Sequence, residues 1–380
     1  MAMTERDYTG STIVTVNTGS SSVRLAAFDC DEGRSLSLRA AEHHASAGED
    51  ATQVLRRFLH THASGGVAAV AHRVVHGGRQ LVRPCLLDEA AEREIARLAP
   101  LAPLHNPAAL RWIGAAHSLL GDDIPQVGVF DTAFYVGLPE VASTYAIPRA
   151  LADRHGIRRY GFHGLAHEAM WRRWQALHPE RARDARVISL QLGAGCSVTA
   201  IEGGVPRDTS MGFSPLEGLV MATRCGDIDP GLIGFLQRAE HWSPDDLERV
   251  LSTESGLLGL SGSSGDMRVL LRAEDAHARL ALEVYAYRAR KYIGAYLAAL
   301  GGADAIVFGG GVGEHAPAVR AAVLKQMEWA GVDLDANANE ATLGQEGRIS
   351  RTGSRIEVWV IPVDEQQVLA QEALAVINRR

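Results

Sequence analysis

Arg224 stands near the end of Asp208–Pro230, a stretch that mixes glycines at 212, 218 and 226 with the apolar Phe213, Leu216, Leu219, Val220 and Met221. A guanidinium offers a fixed fork of donors that matches carboxylate or phosphate oxygens, and glycines let backbone approach a ligand closely. Taken alone, Arg224 is better explained as a structural cation paired with Asp227 or Asp229, and the rest of the chain reverses that reading. Other chemistry-bearing residues surround this one in the sequence. Arg73 sits inside an apolar run, where a charge needs a partner or a ligand. Asp131 and Glu365 follow apolar β-branched segments, and Asn17 heads a hydroxyl-rich turn. His163 and His167 are four residues apart, but the glutamate of a His-Glu-x-x-His pair and a third ligand are missing, so zinc is not the expected reading. Arginines, a histidine, acidic groups and glycine turns form the set that phosphoryl transfer uses, since that chemistry rests on positioning and charge neutralisation. Oxygen donors suit Mg²⁺. No Gly-x-Ser-x-Gly elbow points to acyl transfer.

The elements that must hold these groups are legible as an α/β pattern. Thr12–Val16, the turn Asn17–Ser22 and Val23–Phe28 predict a hairpin whose tip offers donors to phosphate. It is not a Walker A loop, and on this stretch alone an ordinary polar hairpin is the better account. Arg186–Leu192, Gly193–Ser197 and Val198–Glu202 repeat this pattern. Alignments on the glycines and on the Ser-Val pairs differ by one residue, so a repeated pattern is read rather than a duplication. Residues 33–66 are weakly patterned apart from a helix over 50–62. Strands are predicted at Ala68–Val75, Gln126–Phe130, Asp304–Phe308 and Ile356–Ile361, and helices over 87–98, 107–120, 244–251, 275–300 and 366–378. In open α/β sheets ligands gather at the carboxyl ends of strands, where Asp131 and Glu365 fall. Gly309–His315 is predicted as a tight turn, with a helix running on to Ala330 and Gly331 as its cap. Gly311-x-Gly313-x-x-Ala316 also satisfies a loose dinucleotide fingerprint, though it stands late in the chain.

Composition narrows the class. A chain of 380 residues suggests two domains or one large one. Apolar content of 46% and charged content of 22% are ordinary for a globular protein, and a net charge of −7 gives no case for nucleic acid or an anionic membrane. Four scattered cysteines with no Cys-x-x-Cys fit a reducing cytosol. No apolar run approaches the ~20 residues of a membrane span. The opening residues carry charges of both signs and are not expected to be a signal peptide. Residues 1–10 are expected to fray.

Asn17–Arg24, His72–Gly78, Leu101–Pro107, Phe130–Phe134, Arg159–His167, Asp208–Pro230, Ser255–Arg268, Gly309–Glu314 and Ile361–Glu365 together resemble the successive motifs of acetate kinases, within the acetate and sugar kinase/Hsp70/actin superfamily. The resemblance runs in order along nearly the whole chain. It implies an α/β fold of two related actin-like ATPase (ribonuclease H-like) domains facing a central cleft. The N-terminal domain would span residues 10–147, completed by the C-terminal helix 366–380, and the C-terminal domain residues 148–365. The implied reaction is reversible, Mg²⁺-dependent (or Mn²⁺-dependent) transfer of the γ-phosphoryl of ATP to acetate, giving acetyl phosphate and ADP, in a cytoplasmic homodimer. Carried over by position, Asn17 and Glu365 would hold or orient the metal. Arg73 would bind the carboxylate, and Val75, Leu104, Phe162 and Pro215 would surround its methyl group. His163 and Arg224 would stabilise the phosphoryl in flight, with Asp131 as the acidic catalytic residue. Arg24, Gln191, Leu192, Gly193, Ala194, Gly195, Asp266, Met267, Arg268, Gly311, Val312, Gly313, Glu314 and His315 match nucleotide-binding segments.

This chain departs from the family's usual pattern at three of those positions. Arg24 replaces a lysine, Ala194 an asparagine and His315 an asparagine. With Ala194 the asparagine's side-chain donor is gone, which removes one contact near the phosphates, worth about 1.5–3 kcal/mol when made to a charged group. The alternatives are a propionate or other short-chain acyl kinase, a non-catalytic nucleotide-binding regulator of the same fold, and an NAD-linked enzyme using Gly311–Ala316. A valine at 75 favours acetate over propionate modestly, since one methylene is worth only about 1–3 kcal/mol.

Overall fold

The computed structural model describes residues 11–19, 22–31, 35–45, 50–181 and 183–379. The tip of the first hairpin, residues 20 and 21, and the expected frayed segment 1–10 lie outside the described residues. The chain divides into two compact units. One runs up to Val136 and resumes at Asp364; the other is Gly137–Val363.

The first unit is built on a six-stranded sheet. Its strands are β1 (Thr12–Thr18), β2 (Ser22–Asp31), β3 (Ser35–Ala45), β4 (Val67–Val74), β5 (Cys85–Leu86) and β6 (Gln126–Phe130), in the order β3-β2-β1-β4-β6-β5. β1 is the hydrophobic centre, with all seven residues buried. It pairs antiparallel with β2 and parallel with β4, and β4 runs parallel to β6. One face is covered by the helices Ala51–His62 and Asn106–Leu120, which pack Leu55, Phe58 and Trp112 against Val14, Val16, Leu25 and Val70. Asp50 caps the first of these helices by accepting from the Thr52 amide. The C-terminal helix Glu365–Ile377 packs on β1, β4 and β6. Asp364 caps it, accepting from the Gln367 amide at 3.0 Å.

β3 falls in the region read as weakly patterned. It is an edge strand with Leu38 exposed, so its apolar residues do not alternate cleanly between core and solvent.

The second unit repeats the plan. β7 (Arg186–Leu192), β8 (Cys196–Glu202), β9 (Val205–Thr209), β10 (Ala305–Gly309), β11 (Gly347–Arg348) and β12 (Glu357–Val360) lie in the order β11-β12-β10-β7-β8-β9. Read from the other edge, this is the first sheet again: three antiparallel strands, two parallel ones and a short antiparallel edge. The shared order makes the repeated hairpin pattern a structural one.

The ladder also accounts for the one-residue ambiguity between the hairpins. Thr18 pairs with Val23 across four residues, whereas Leu192 pairs with Cys196 across three. In the second unit the helix Gly164–Leu177 packs on β7 and β10, and the long helix Ala276–Leu300 packs on β7, β8 and β9. The segment read as a tight turn is itself helical, Gly310–His315. The helix after it covers Pro317–Leu324 and stops short of Ala330, because Pro317 restarts the helix and Lys325 leaves helical geometry.

Candidate active site

In the first unit the carboxyl ends of β1, β4 and β6 and the start of the C-terminal helix bring four predicted residues together. Arg73, on β4, donates through Nε to Asp131 Oδ1 at 3.1 Å and through NH2 to Asp131 Oδ2 at 2.6 Å. Its NH1 donates to Asn17 Oδ1 at 3.2 Å and lies 3.8 Å from Glu365 Oε2. Asn17 Nδ2 closes the ring onto Glu365 Oε2 at 2.7 Å. Asp131 is fully buried. Burial opposes the charge on Arg73, but Asp131 and Glu365 more than offset it and raise its pKa.

Two of the expected methyl-pocket residues belong to this unit. Val75 is buried and Leu104 is 51% exposed. Their loops are tied together: Asn106 Oδ1 accepts the His76 amide at 3.1 Å, and its Nδ2 donates to the His76 carbonyl at 3.0 Å. Arg24 lies on β2 opposite Asn17 and is exposed.

In the second unit His163 precedes the helix Gly164–Leu177 with φ 58°, the left-handed region that a non-glycine residue enters only when its surroundings hold it there. Arg224 arrives from the loop after β9. A Cβ placed on Gly195 would stand 3.2 Å from His163 Cε1 and Nε2 and 3.3 Å from Arg224 NH2, so the two side chains meet over that glycine. Arg224 NH1 donates to the Pro215 carbonyl at 2.7 Å.

The alternative pairing of Arg224 with Asp227 or Asp229 does not occur. Asp227 instead accepts from the Gly218 amide and from Tyr292, and Asp229 caps the helix Pro230–Ala239. Among the described residues no carboxylate pairs with Arg224, and burial lowers its pKa. His163 and His167 both contact the Ser197 hydroxyl.

The remaining predicted residues of this unit flank that pair. Phe162 is buried, and Pro215 contributes the carbonyl that anchors Arg224. Gln191 and Leu192 end β7, and the Gly193 amide donates to the Gly195 carbonyl at 3.1 Å. Ala194 uses its carbonyl to accept from the Ala222 amide at 3.0 Å, tying the hairpin tip to the Arg224 loop. Gly310 (φ 76°) brings the next segment against Leu192, while a Cβ on Gly311 would meet nothing within 4 Å. Val312, Gly313, Glu314 and His315 continue that helical turn, and the His315 ring lies against Gly344. Asp266 caps a short helix beginning at the buried Met267 and pairs with the exposed Arg268 at 2.6 Å, which holds its pKa at about 2.

Three groups that the sequence reading gave no role hold this unit's site in place. Arg320, fully buried, spends its donors on the carbonyls of Gly313, Glu314, Asn339 and Thr342 and on Asn339 Oδ1. Arg159 pairs with Glu217 at 2.6 Å, and Tyr145 donates to the same carboxylate. Ser197 and Ser189 bracket His167. An arginine seven residues after Gly313, the last glycine of a turn, was the visible signal for the first. Arg159 and Glu217 fall inside the quoted stretches Arg159–His167 and Asp208–Pro230, whereas Tyr145, Ser189 and Ser197 have no sequence signal of their own.

A sequence model described as the Acetokinase family matches residues 30–371. The chain is 49% identical over 319 residues to an acetate kinase of Chloroherpeton thalassium, covering 83% of this chain and 76% of that protein. Its fold is similar to the crystal structure of Porphyromonas gingivalis acetate kinase, with a TM-score of 0.86 and 34% identity over 97% of this chain and 100% of that one. It is also similar to a propionate kinase from Francisella tularensis, with a TM-score of 0.85 and 33% identity over 95% and 98% of the two chains. The repeated six-stranded units, the residues gathered at their strand ends and the extent of these similarities agree: the chain belongs to the acetokinase family.

Proposed function

We propose that the protein is an acetate kinase that reversibly transfers the γ-phosphoryl group of ATP to acetate, forming acetyl phosphate and ADP. The observation that carries this reading is Arg224, a half-buried cation beside His163 with no carboxylate partner among the described residues. Such a group suits the equatorial oxygens of a phosphoryl group in transfer.

The acceptor carboxylate is already a nucleophile, so no strong base is needed. Asp131 instead fixes the side edge of Arg73, and a substrate carboxylate would take N–H groups remaining on NH1 and NH2. Asn17, Asp131 and Glu365 are oxygen donors of the kind a hard cation takes, and Asn17 and Glu365 would hold Mg²⁺, or Mn²⁺ in its place. Bound there, the ion would neutralise phosphate charge. The segments at Gln191–Gly195, Asp266–Arg268 and Gly311–His315 would bind the nucleotide, and Val75, Leu104, Phe162 and Pro215 the acetate methyl.

A homodimer is supported by the helix Pro230–Ala239. It buries none of its residues and exposes Leu232, Ile233 and Phe235, the last to 58%. No disulfide forms among the described residues, which supports a reducing, cytoplasmic setting. A second reading, propionate as acceptor, draws on the similarity to the Francisella propionate kinase; the buried Val75 weighs for acetate.

The test is an assay with ATP, Mg²⁺ and acetate, trapping acetyl phosphate with hydroxylamine. Propionate, butyrate, GTP and pyrophosphate run in parallel, with Arg224→Ala as control. Acetate-dependent turnover abolished in the control supports the kinase. Nucleotide binding without turnover on any acceptor or donor would overturn it in favour of a regulator.

A further inference from the structure

A chain of four side chains runs inward from His163. His163 Nδ1 lies 2.9 Å from Ser197 Oγ, Ser197 Oγ lies 2.7 Å from His167 Nε2, and His167 Nδ1 lies 2.7 Å from Ser189 Oγ. His167, Ser197 and Ser189 are fully buried. The β-ladder fixes their spacing, since Ser189 and Ser197 sit on the paired strands β7 and β8.

We propose that Ser197 and His167 are positioning residues that hold the His163 proton on Nε2, so that a neutral ring donates an N–H to the phosphoryl group; this rests on the kinase reading above. A neutral imidazole has one donor nitrogen and one acceptor, and the partner of one nitrogen decides the other. A hydroxyl can donate once and accept in the same chain. With Ser189 donating to His167 Nδ1, His167 Nε2–H donates to Ser197, and Ser197 donates to His163 Nδ1. His163 Nε2 must then carry the proton, and it is Nε2 that faces Gly195 and Arg224 NH2. Run the other way, the chain would aim a lone pair at an anionic phosphoryl oxygen. Arg224 already supplies the positive charge beside the ring, so the contribution left to His163 is a directed N–H. His167 keeps its own ring neutral because burial lowers its pKa to about 3, and both of its nitrogens remain committed to serine hydroxyls. The links of the chain are imidazole to hydroxyl throughout, which distinguishes it from an Asp–His pair built to stabilise an imidazolium.

The test compares wild type with Ser197→Ala, His167→Gln and His167→Leu. Gln keeps an N–H donor toward Ser197, and Leu removes it. Readouts are kcat and KM for acetate and ATP, and the ring ¹⁵N signals of histidine-labelled protein, with His163 assigned through His163→Asn. Expected for Ser197→Ala is a kcat lower by about 10- to 100-fold with each KM changed less than about 3-fold, and a shift of His163 away from the Nε2–H form. His167→Gln should retain several-fold more kcat than His167→Leu. An active wild type whose Ser197→Ala variant keeps both kcat and the His163 tautomer would overturn the proposal. So would equal losses in His167→Gln and His167→Leu, which also decide the matter if Ser197→Ala does not fold. An inactive wild type would instead sink the kinase reading, leaving the ring signals to show whether Ser197 sets the tautomer.

Discussion

Arg224 is held by the Pro215 carbonyl at 2.7 Å, and no carboxylate among the described residues balances its charge. A half-buried guanidinium kept this way costs the folded protein stability that a ligand anion would return. Arg224→Ala should therefore lower kcat by ~10³-fold or more while leaving the thermal midpoint unchanged or raised. Kinetics and a melting curve on one preparation check both halves. A midpoint several degrees lower would show that Arg224 is mainly structural.

Gly195 separates the hairpin tip from the two side chains that meet over it. Gly195→Ala would put a methyl group 3.2 Å from the His163 ring and 3.3 Å from Arg224, so both must give way. A reduction in kcat of about 10-fold or more is expected, because small misplacements of reacting groups are costly. The denaturant midpoint should barely move. Wild-type kcat in this variant would show that the two side chains need not be held so closely.

Arg320 offers five donors to five acceptors around Gly313, Glu314, Asn339 and Thr342. Lysine brings three donors and no planar fork. Arg320→Lys leaves buried acceptors unmet and should cost about 3 kcal/mol or more in urea unfolding. ADP binding should weaken as well, through the loosened helix Gly310–His315. A midpoint equal to wild type would rule out this bracing role.

Stability should fall as pH drops below about 6.5. Burial lowers the pKa of His72 to about 4, His76 to about 4 and His167 to about 3. In the unfolded chain these histidines take up protons near pH 6.5, so between that value and their folded pKa values the unfolded state binds more protons. Stability is then full above that window and drains away through it, with each group contributing up to about 1.4 kcal/mol per pH unit. Urea midpoints taken from about pH 7.5 to 5 would trace the slope. His72→Gln, which can still bond Gln126, should make it shallower by one histidine's share; an unchanged slope would remove His72 from the account.

The order of strands and helices was largely legible because most elements carry strong patterns. β1 opens on a β-branched run, Thr12–Val16, β6 is mostly apolar, and Ala276–Leu300 repeats at spacings of three and four. β3 was not legible, since Ser35–Ala45 is an edge strand whose leucines do not mark one buried face. Candidate residues at strand ends could be named from the sequence, because chain direction alone places Asp131 and Glu365 there. Their partners could not. Ser197 reaches His163 across 34 positions through a hairpin register, and Arg320 reaches Asn339 through a loop return. Both contacts depend on where the backbone turns, a property no local spacing records.

The last helix has a consequence for how the molecule comes to be made. Glu365–Ile377 packs on β1, β4 and β6, strands translated more than two hundred residues earlier, while Gly137–Val363 is one uninterrupted segment. During synthesis the middle of the chain can therefore complete its unit while the first sheet still lacks a covering helix. The first unit is begun before the second and finished after it. Glu365, which closes the ring of contacts around Arg73 and Asn17, is joined to that covering helix. Assembly of the first unit's candidate site and sealing of its core thus become the same late event, and a nascent chain would gain its carboxylate-side chemistry only when its fold is secured.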